Sequence, residues 1–464
     1  MKKTKIIVFL ILTAVLFSPG IYAKGKPEKK PVSYPVEQFK AVNRPATKAE
    51  DGQVVEINIF STNDEHGWIF DWDYGKGTPN TYRGNPSPAG LARISALYKE
   101  KSAQNPNSIL VSAGDTIQGT LLSYYYNFVE TEKVNPVTMA FNLIGYDAWT
   151  VGNHEVEQGN KVMHKVANEM ARHNIAVLSA NAVWETTPEN PYYLPYYIKE
   201  VDGVRVGILG LTTPGIPMWL ADETHIDHQF QDMAAAAKKW VPVLRNTEKV
   251  DILVGLFHAG MNEGYDQAKA ASFGLPAPNA SRLVARAIGA GPDGIDAIIC
   301  AHSHKIINDS INTEFKDTDD NVVNGVKFLQ AGFWGMNLGH LSITVKGKGG
   351  RWVVDNVTCH TYPVKDYEQD QEILTALDAY FSGAKQYAAK VVGTATADLD
   401  FSTSLYKESA IVDLIHETQL HFTGADISIA ASFGSDGMIP KGDITVGSIA
   451  RIYVYENFLN VVKL

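Results

Sequence analysis

The sequence is poor in cysteine and has no excess of positive charge. Cys300 and Cys359 are the only cysteines among 464 residues, which argues against a disulfide-rich scaffold and against a structural zinc site of the thiolate kind. Both lie in strand-like apolar stretches, and we predict free, buried thiols rather than a disulfide bond. The formal net charge of −10 argues against a surface for nucleic-acid polymers, since such surfaces are basic. Small phosphorylated ligands remain compatible with it, because metals can supply the positive charge.

Long apolar runs are also missing, apart from one at the start. Three lysines among the first five residues precede an apolar run from Ile6 to Phe17, and a small residue, Ala23, follows at the expected cleavage point. This pattern predicts a secretory signal peptide over residues 1–23. The alternative is an uncleaved anchor, for which the run is short. We therefore expect a periplasmic or secreted protein with no stable membrane span after cleavage. The sequence does not determine its oligomeric state.

Composition and patterning divide the remaining chain into four segments. Residues 24–53 are rich in Lys, Pro, Glu and Ala, which is typical of a flexible linker. Over residues 54–370 short apolar strands alternate with helices, and this alternation predicts a layered α/β domain. A helical stretch over residues 371–390 is predicted to connect it to a second unit, residues 391–464.

Hydrophobic periodicity places the individual elements. In the α/β domain we predict strands over residues 55–59, 108–112, 148–151, 176–178, 204–211, 251–257 and 297–300. Helices are predicted over residues 91–101, 137–144, 161–173, 233–245 and 281–288. The stretch from 326 to 358 is predicted to be rich in strands. In the second unit the pattern predicts a helix over residues 405–422 and a strand over residues 427–431.

Polar residues with metal-binding side chains follow five of these strands directly. The segments are Asp64-Glu65-His66, Gly114-Asp115, Gly152-Asn153-His154-Glu155, His258-Ala259-Gly260 and Ala301-His302-Ser303-His304. In α/β sheets, ligands bind in the crevice beyond the carboxyl ends of the strands, so we expect the five segments to meet there. A single Gly-Asp after a strand is more often a plain turn, but unrelated turns do not explain the ordered set of five.

The residue types in this set suit metal ions. Carboxylates, imidazoles and an amide oxygen form a mixed ligand set that favours Zn, Mn, Co or Fe over Ca or Mg. Asp64 and His66 are separated by one residue, as are His302 and His304. Because alternate residues of an extended backbone point to the same side, each pair can reach one site.

The ordered set resembles the signature of the calcineurin-like metallophosphoesterase superfamily, in which Asp-x-His, Gly-Asp, Gly-Asn-His-Asp/Glu, His and Gly-His-x-His follow one another. Ala301 replaces the glycine of the last motif. Residues 62–67 and 210–213 look more specifically like the 5′-nucleotidase branch, and the resemblance covers about residues 54–370, with lower specificity over 391–464. It implies a four-layer α-β-β-α sandwich followed by part of a smaller α+β C-terminal domain.

Carried onto this chain, the resemblance implies a site for two divalent metal ions. The ligands of the first ion would be Asp64, His66 and His304. The ligands of the second would be Asn153, His258 and His302, with Asp115 bridging the two ions. The catalytic residue that binds no metal would be His154. Glu157 would take the place of the aspartate that orients this histidine in the nucleotidase branch.

The second unit differs from the family's pattern. In the resembling family this domain binds the nucleoside through arginines and a pair of aromatic side chains. The corresponding stretch here, residues 431–437, lacks the signature arginine. Phe433 is the candidate for stacking on a base, against the alternative of an ordinary turn or core aromatic. We therefore predict that the domain over residues 391–464 is incomplete; a fragment, completion by a second chain, and a true loss of nucleotide recognition all stay open.

Taken with the resemblance, the sequence predicts an exported, metal-dependent phosphohydrolase that attacks the phosphorus of a small phosphoester, a nucleotide above all, and releases nucleoside and phosphate. One alternative keeps the same site and changes the substrate to a 2′,3′-cyclic nucleotide, a UDP-sugar or the sulfur ester of a thiosulfohydrolase. The alternative of another class is a non-catalytic extracellular binding protein on the same fold. The full ligand set together with His154 argues against it.

Overall fold

The computed structural model describes residues 32–314, 321–431, 438–452, 459, 461 and 462. The chain forms two compact units, residues 32–385 and the part from residue 386 onward. The predicted signal peptide lies outside the described residues. Among the residues that are described, no helix combines the length and the apolar character that crossing a membrane requires.

The strands of the unit of residues 32–385 include all seven that were predicted individually, together with others that were not. In chain order they are β1 Val54–Thr62, β2 Thr81–Tyr82, β3 Asn85–Pro86, β4 Ser108–Ser112, β5 Ala148–Thr150, β6 Ala176–Leu178, β7 Ala182–Trp184, β8 Tyr196–Val201, β9 Val204–Thr212, β10 His228–Phe230, β11 Ile252–His258, β12 Ala297–Cys300, β13 Ile306–Asn308, β14 Ile311–Asn312, β15 Val322–Val323, β16 Val326–Ala331, β17 Asn337–Lys348 and β18 Arg351–Pro363.

The α-helices that begin in this unit fall between its strands or after the last of them. They are α1 Leu91–Gln104, α2 Leu121–Tyr124, α3 Pro136–Ile144, α4 Asn153–Glu157, α5 Gly159–Arg172, α6 Ile216–Trp219, α7 Met233–Pro242, α8 Gln267–Ser272, α9 Ser281–Ile288, α10 Gln371–Ala376 and α11 Asp378–Ala388. The predicted helix over 233–245 stops being α-helical at Pro242 and continues as a π-helical turn over 243–247.

Two mixed sheets carry the main strands. The first has the order β18-β17-β1-β4-β5-β6, in which β1, β4, β5 and β6 run parallel. The second has the order β14-β13-β16-β12-β11-β9-β8, in which β9, β11, β12 and β16 run parallel. The carboxyl ends of β1, β4 and β5 and those of β11 and β12 precede the five predicted site segments.

The sheets pack face to face, and helices cover their outer sides. Ile57 and Ile59 of β1 lie in one buried cluster with Val254 and Leu256 of β11. On the outer side of the second sheet, α7 and α9 pack in a second cluster. On the outer side of the first sheet, the ring of Tyr98 in α1 meets that of Phe60 at 5.4 Å. The predicted four-layer α-β-β-α sandwich is therefore confirmed, and both cysteines are free and buried as expected.

The prediction of a flexible linker is wrong for residues 32–53. The Tyr34 hydroxyl accepts a hydrogen bond from the Val177 amide (2.9 Å) in β6, the edge strand of the first sheet. Arg44 forms an ion pair with Glu248 at 2.7 Å. These partners lie far along the chain, so composition alone could not reveal that the segment is held against the sandwich.

The predicted connecting helix over residues 371–390 is two helices in the structure. Asp370 caps α10 by accepting a hydrogen bond from the Glu372 amide (3.0 Å). At Leu377 the backbone leaves helical geometry (φ −109°, ψ 12°). The Leu377 side chain is fully buried, which anchors the chain at the break between α10 and α11.

The second unit is small. Its elements are β19 Val391–Ala395, β20 Leu399–Asp400, α12 Ala410–Thr423, β21 Met438–Ile439, β22 Gly442–Thr445 and α13 Val446–Ala450. The core gathers Phe401, Ile411, Ile415 and Ile439. The predicted helix over 405–422 thus starts at Ala410. The predicted strand over 427–431 is wrong, because no strand in the described part of this unit pairs with it and Ile429 is 90% exposed.

Candidate metal centre

The five polar segments meet where their strands end, as expected. Asp64 and His66 follow β1, Asp115 follows β4, and Asn153 opens α4 after β5. His258 is the last residue of β11, and His302 and His304 follow β12. Side chains from both sheets therefore face one crevice, and their ligand atoms form two groups.

The first group consists of Asp64, His66 and His304, whose ligand atoms all lie within 4.8 Å of one another. The Nε2 atoms of His66 and His304 are 3.0 Å apart, and His304 Nε2 is 3.6 Å from Asp64 Oδ1. Asp64 is fully buried. Two imidazole nitrogens and a carboxylate oxygen that converge in this way suit a divalent cation.

The second group consists of Asp115, His258 and His302. His258 Nε2 lies 3.0 Å from Asp115 Oδ2 and 3.1 Å from Asn153 Oδ1. Its other ring nitrogen, Nδ1, lies 2.8 Å from the Ala113 carbonyl, and this second contact orients the ring. The structure thus also brings the predicted amide ligand, Asn153, to the second group.

The two groups are tied to each other. The His302 amide donates to both carboxylate oxygens of Asp64, each at 3.1 Å. Asp115 lies close enough to act on the pKa of His66 and His304 as well as that of His258. A carboxylate placed in this way can serve both groups.

The backbone at the ligand positions is unusual for residues with side chains. Positive φ angles occur at Asp64 (50°), His66 (47°), Asp115 (57°), His302 (70°) and His304 (55°). Such left-handed conformations cost free energy and gather at functional sites, where the surrounding structure enforces them. The sandwich therefore holds five of the seven predicted ligands in a strained arrangement.

Two glycines of the motifs allow this close packing. A Cβ at Gly152 would lie 2.2 Å from Asp115 Oδ1, and one at Gly114 would lie 2.6 Å from the Thr150 carbonyl. Gly114 also has a φ of +94°. Glycine is needed at both positions, because a side chain at Gly152 would push Asp115 out of place and one at Gly114 would collide with the Thr150 carbonyl.

Burial and neighbouring charges set the protonation of the site. Burial lowers the pKa of His302 to about 3 and that of His304 to about 4, so both imidazoles are neutral at neutral pH and keep a lone pair for a metal. Burial raises the pKa of Asp64 to about 8, although His258 lowers it. A buried carboxylate of this kind is stabilised as an anion by a cation beside it, so the donor set fits two divalent ions.

His154 and Glu157 form a pair beside the two groups. His154 Nδ1 lies 2.5 Å from Glu157 Oε2, and the His154 amide donates to Asp115 Oδ1 at 2.8 Å. Burial lowers the pKa of His154, but Asp115 and Glu157 outweigh it and raise the pKa to about 9. The ring of His154 is 5.1 Å from that of His66, so the imidazole lies next to the ligand groups.

Sequence reasoning assigned no role to Glu155. In the structure its side chain holds the backbone of the ligand loops. It is fully buried, and its carboxylate accepts hydrogen bonds from the amides of Asp115 (2.8 Å), Gly152 (2.7 Å), Thr116 (2.5 Å) and Ile117 (3.2 Å). These amides come from the loops after β4 and β5, so Glu155 joins the two loops. Its position inside the Gly-Asn-His-Glu segment was the only signal in the sequence.

Replacing Glu155 with glutamine is expected to lower the free energy of unfolding by about 2–4 kcal/mol, because a buried NH₂ group would face backbone donors and leave at least one of them unsatisfied. Urea denaturation measures this change. Glu223→Gln, at an exposed position, is the matched control and should stay within about 0.5 kcal/mol of the wild type. Equal stability of the two variants would contradict the role of Glu155.

Phe433, the predicted stacking residue of the second unit, lies outside the described residues. The structure therefore describes the site in the unit of residues 32–385 alone.

The layered fold and the paired ligand groups at its strand ends define the class of a metallophosphoesterase. Comparison with known families agrees: residues 57–306 match the model of the calcineurin-like phosphoesterases, and residues 391–464 match that of the 5′-nucleotidase C-terminal domain. The first match covers more than half of the chain, and the chain belongs to the calcineurin-like phosphoesterase family. The resemblance stated from the sequence motifs is confirmed.

Curated relatives match over most of the chain. A 2′,3′-cyclic-nucleotide 2′-phosphodiesterase/3′-nucleotidase of Haemophilus influenzae is 27% identical, over 88% of this chain and 65% of the relative. A 5′-nucleotidase of Vibrio cholerae is 24% identical, over 90% of this chain and 75% of the relative. The chain thus spans about two thirds of the length of the Haemophilus relative.

Solved structures show the same fold. YfkN from Bacillus subtilis, a calcineurin-like phosphoesterase, superposes with a TM-score of 0.62 at 25% identity, covering 73% of this chain and all of that chain. A putative 5′-nucleotidase from Staphylococcus aureus superposes with a TM-score of 0.68 at 20% identity, covering 86% of this chain and 72% of that chain.

Proposed function

We propose that this protein is a metal-dependent phosphohydrolase that acts on nucleotides and releases nucleoside and phosphate. The observation that carries the proposal is the meeting of two ligand groups, Asp64-His66-His304 and Asp115-His258-His302, in one crevice beside His154. The names of the relatives support a nucleotide as the substrate.

In this proposal the site residues keep the roles that the resemblance implies. The first ion is held by Asp64, His66 and His304. The second is held by Asn153, His258 and His302, and Asp115 serves both. The donor set favours Zn, Mn, Co or Fe. When bound, two such ions would acidify water and balance the charge on the phosphoryl oxygens.

His154 supplies the proton chemistry of the proposed reaction. Glu157 holds the ring through Nδ1, and the proposal assigns Nε2 to the substrate. Against the effect of burial, Asp115 and Glu157 raise the pKa of the ring to about 9, which favours its protonated form. It would donate a hydrogen bond to the phosphoryl group as negative charge builds there, and pass a proton to the leaving oxygen.

Export is also part of the proposal. It rests on the basic start, the apolar run from Ile6 to Phe17 and the small residue Ala23. Sequencing the N-terminus of the protein recovered from outside the cytoplasm tests it. A chain that still starts at Met1 would contradict cleavage.

A second candidate is hydrolysis of 2′,3′-cyclic nucleotides at the same site. It is favoured by the Haemophilus relative, whose name includes that activity and whose identity of 27% exceeds the 24% of the Vibrio 5′-nucleotidase. Both reactions need the same nucleophile at phosphorus, so the ligand groups alone do not separate them.

Hydrolysis of a substrate panel by metal-loaded protein tests the proposal. The panel contains AMP, 2′,3′-cyclic AMP, UDP-glucose and p-nitrophenyl phosphate, each with and without a chelator. Chelator-sensitive phosphate release from AMP supports the proposed nucleotidase activity. Turnover of 2′,3′-cyclic AMP alone supports the second candidate. Turnover of the aryl ester alone would mean phosphatase chemistry without nucleotide recognition. No turnover despite bound metal would overturn the proposal in favour of a binding protein.

A further inference from the structure

A group of aromatic rings stands beside the first ligand group. The ring of Phe333 stacks on that of His304, with centroids 5.1 Å apart and planes inclined by 22°. Tyr82 meets Phe333 edge to face at 5.4 Å, and Trp334 meets both rings at 5.8 and 5.0 Å. We call Tyr82, Phe333 and Trp334 the aromatic wall.

The backbone fixes this wall to the ligand loop. The Trp334 amide donates to the Asp64 carbonyl at 2.7 Å, and Trp334 adopts a positive φ of 57°. The Trp334 ring also stacks on the buried ring of Trp68, with centroids 5.1 Å apart. Tyr82 comes from the short hairpin of β2 and β3, where it pairs with Asn85. The position of the wall is therefore linked to that of Asp64.

The wall is not part of the hydrophobic core. Tyr82 is 37% exposed, and Phe333 and Trp334 are half-buried. The exposed residue Arg83 holds its guanidinium 5.2 Å from the centre of the Tyr82 ring. Flat apolar rings next to a ligand histidine, with a cation over one of them, are the chemistry that binds a nucleobase and an anionic group.

We propose that the aromatic wall is a subsite for the base of the nucleotide, carried by the catalytic unit itself. The inference rests on the proposed function. It assigns recognition of the base to the aromatic wall, without a contribution from Phe433. On the side of His302 the rival rings are Trp219, which is half-buried and stacks on His302 at 5.2 Å, and Tyr265, which is 51% exposed and lies 6.5 Å from His302. The wall offers three rings that contact one another and a cation over one of them, which makes it the better platform.

The test compares a substrate that has a base with one that lacks it. In Tyr82→Leu, we expect the ratio of kcat/KM for AMP to kcat/KM for ribose 5-phosphate to fall by about 5- to 20-fold, the lower part of the range for loss of one base-stacking ring. The fall should lie in KM rather than in kcat. Tyr82→Phe keeps the ring and should have the wild-type ratio of the two kcat/KM values. Tyr406→Leu, at a position 79% exposed in the other unit, is the control and should keep the wild-type ratio.

Binding without turnover separates this inference from the proposed function. Adenosine is titrated against the protein in chelator, and the tryptophan fluorescence is followed. A fluorescence change that reports adenosine binding to the wild type, with an affinity that falls about 5- to 20-fold in Tyr82→Leu, supports the wall even if no substrate is hydrolysed. Equal binding by the wild type and Tyr82→Leu, no adenosine binding at all, or loss of discrimination in Tyr265→Leu instead of Tyr82→Leu would overturn it.

Discussion

Replacing Asp115 with asparagine is expected to lower kcat/KM for AMP by more than about 100-fold, since loss of even an outer partner of a metal ligand costs about 10- to 100-fold. Asparagine keeps the shape and can still accept the hydrogen bond from the His154 amide (2.8 Å). It removes the negative charge that faces His258 Nε2 across 3.0 Å. Steady-state hydrolysis and the metal content of the purified protein are the measurements, and both should fall together.

Asp232→Asn is the matched control for this change. Asp232 caps α7 by accepting a hydrogen bond from the Ala235 amide (2.7 Å), and asparagine caps a helix about as well as aspartate. We expect wild-type activity and metal content. Full activity in Asp115→Asn would contradict the proposed two-metal site, whereas the same loss in both variants would trace the effect to folding.

His154→Ala is expected to lower kcat by about 100- to 10,000-fold, the range for loss of a positioned proton donor. Metal content should stay near that of the wild type, because the proposal gives His154 no metal to hold. This separation of activity from metal binding is the readout, and it distinguishes His154 from His66, whose ring lies 5.1 Å away. Glu157→Gln should lower kcat less, by about 10-fold, because Glu157 acts by positioning the ring.

His164→Ala provides the control for the histidine change. Its Nε2 lies 2.9 Å from the Tyr192 hydroxyl, away from both ligand groups, so hydrolysis should proceed at the wild-type rate. Metal loss in His154→Ala in proportion to activity would make His154 a ligand instead. Unchanged activity with metal bound would show that His154 takes no part in the reaction.

The strands show how far a local pattern can be trusted. The strands over 108–112, 176–178 and 297–300 have the predicted bounds, because each is a short apolar run buried on both faces and bounded by polar residues. The strand predicted over 427–431 has the same kind of pattern and does not form. Pairing with a neighbour decides whether such a run becomes a strand, and no pairing signal is present in the run itself.

The N-terminal segment shows the opposite error. Its composition is that of a linker, yet the Tyr34 hydroxyl meets the backbone of Val177, 143 positions further along the chain. A few side chains with distant partners are enough to hold a segment of ordinary linker composition. Composition averages over such residues, and so the prediction for residues 32–53 failed.

The sequence by itself determined the α/β class, the family and which residues stand at the ends of five strands, because apolar periodicity and short motifs are local properties of the chain. Only the tertiary structure decided how these residues meet: the 3.0 Å approach of His66 to His304, the four amides gathered by Glu155, and the contact of Tyr82 with Phe333. Each of the three depends on the packing of segments that are distant in the chain, and no local pattern carries that information.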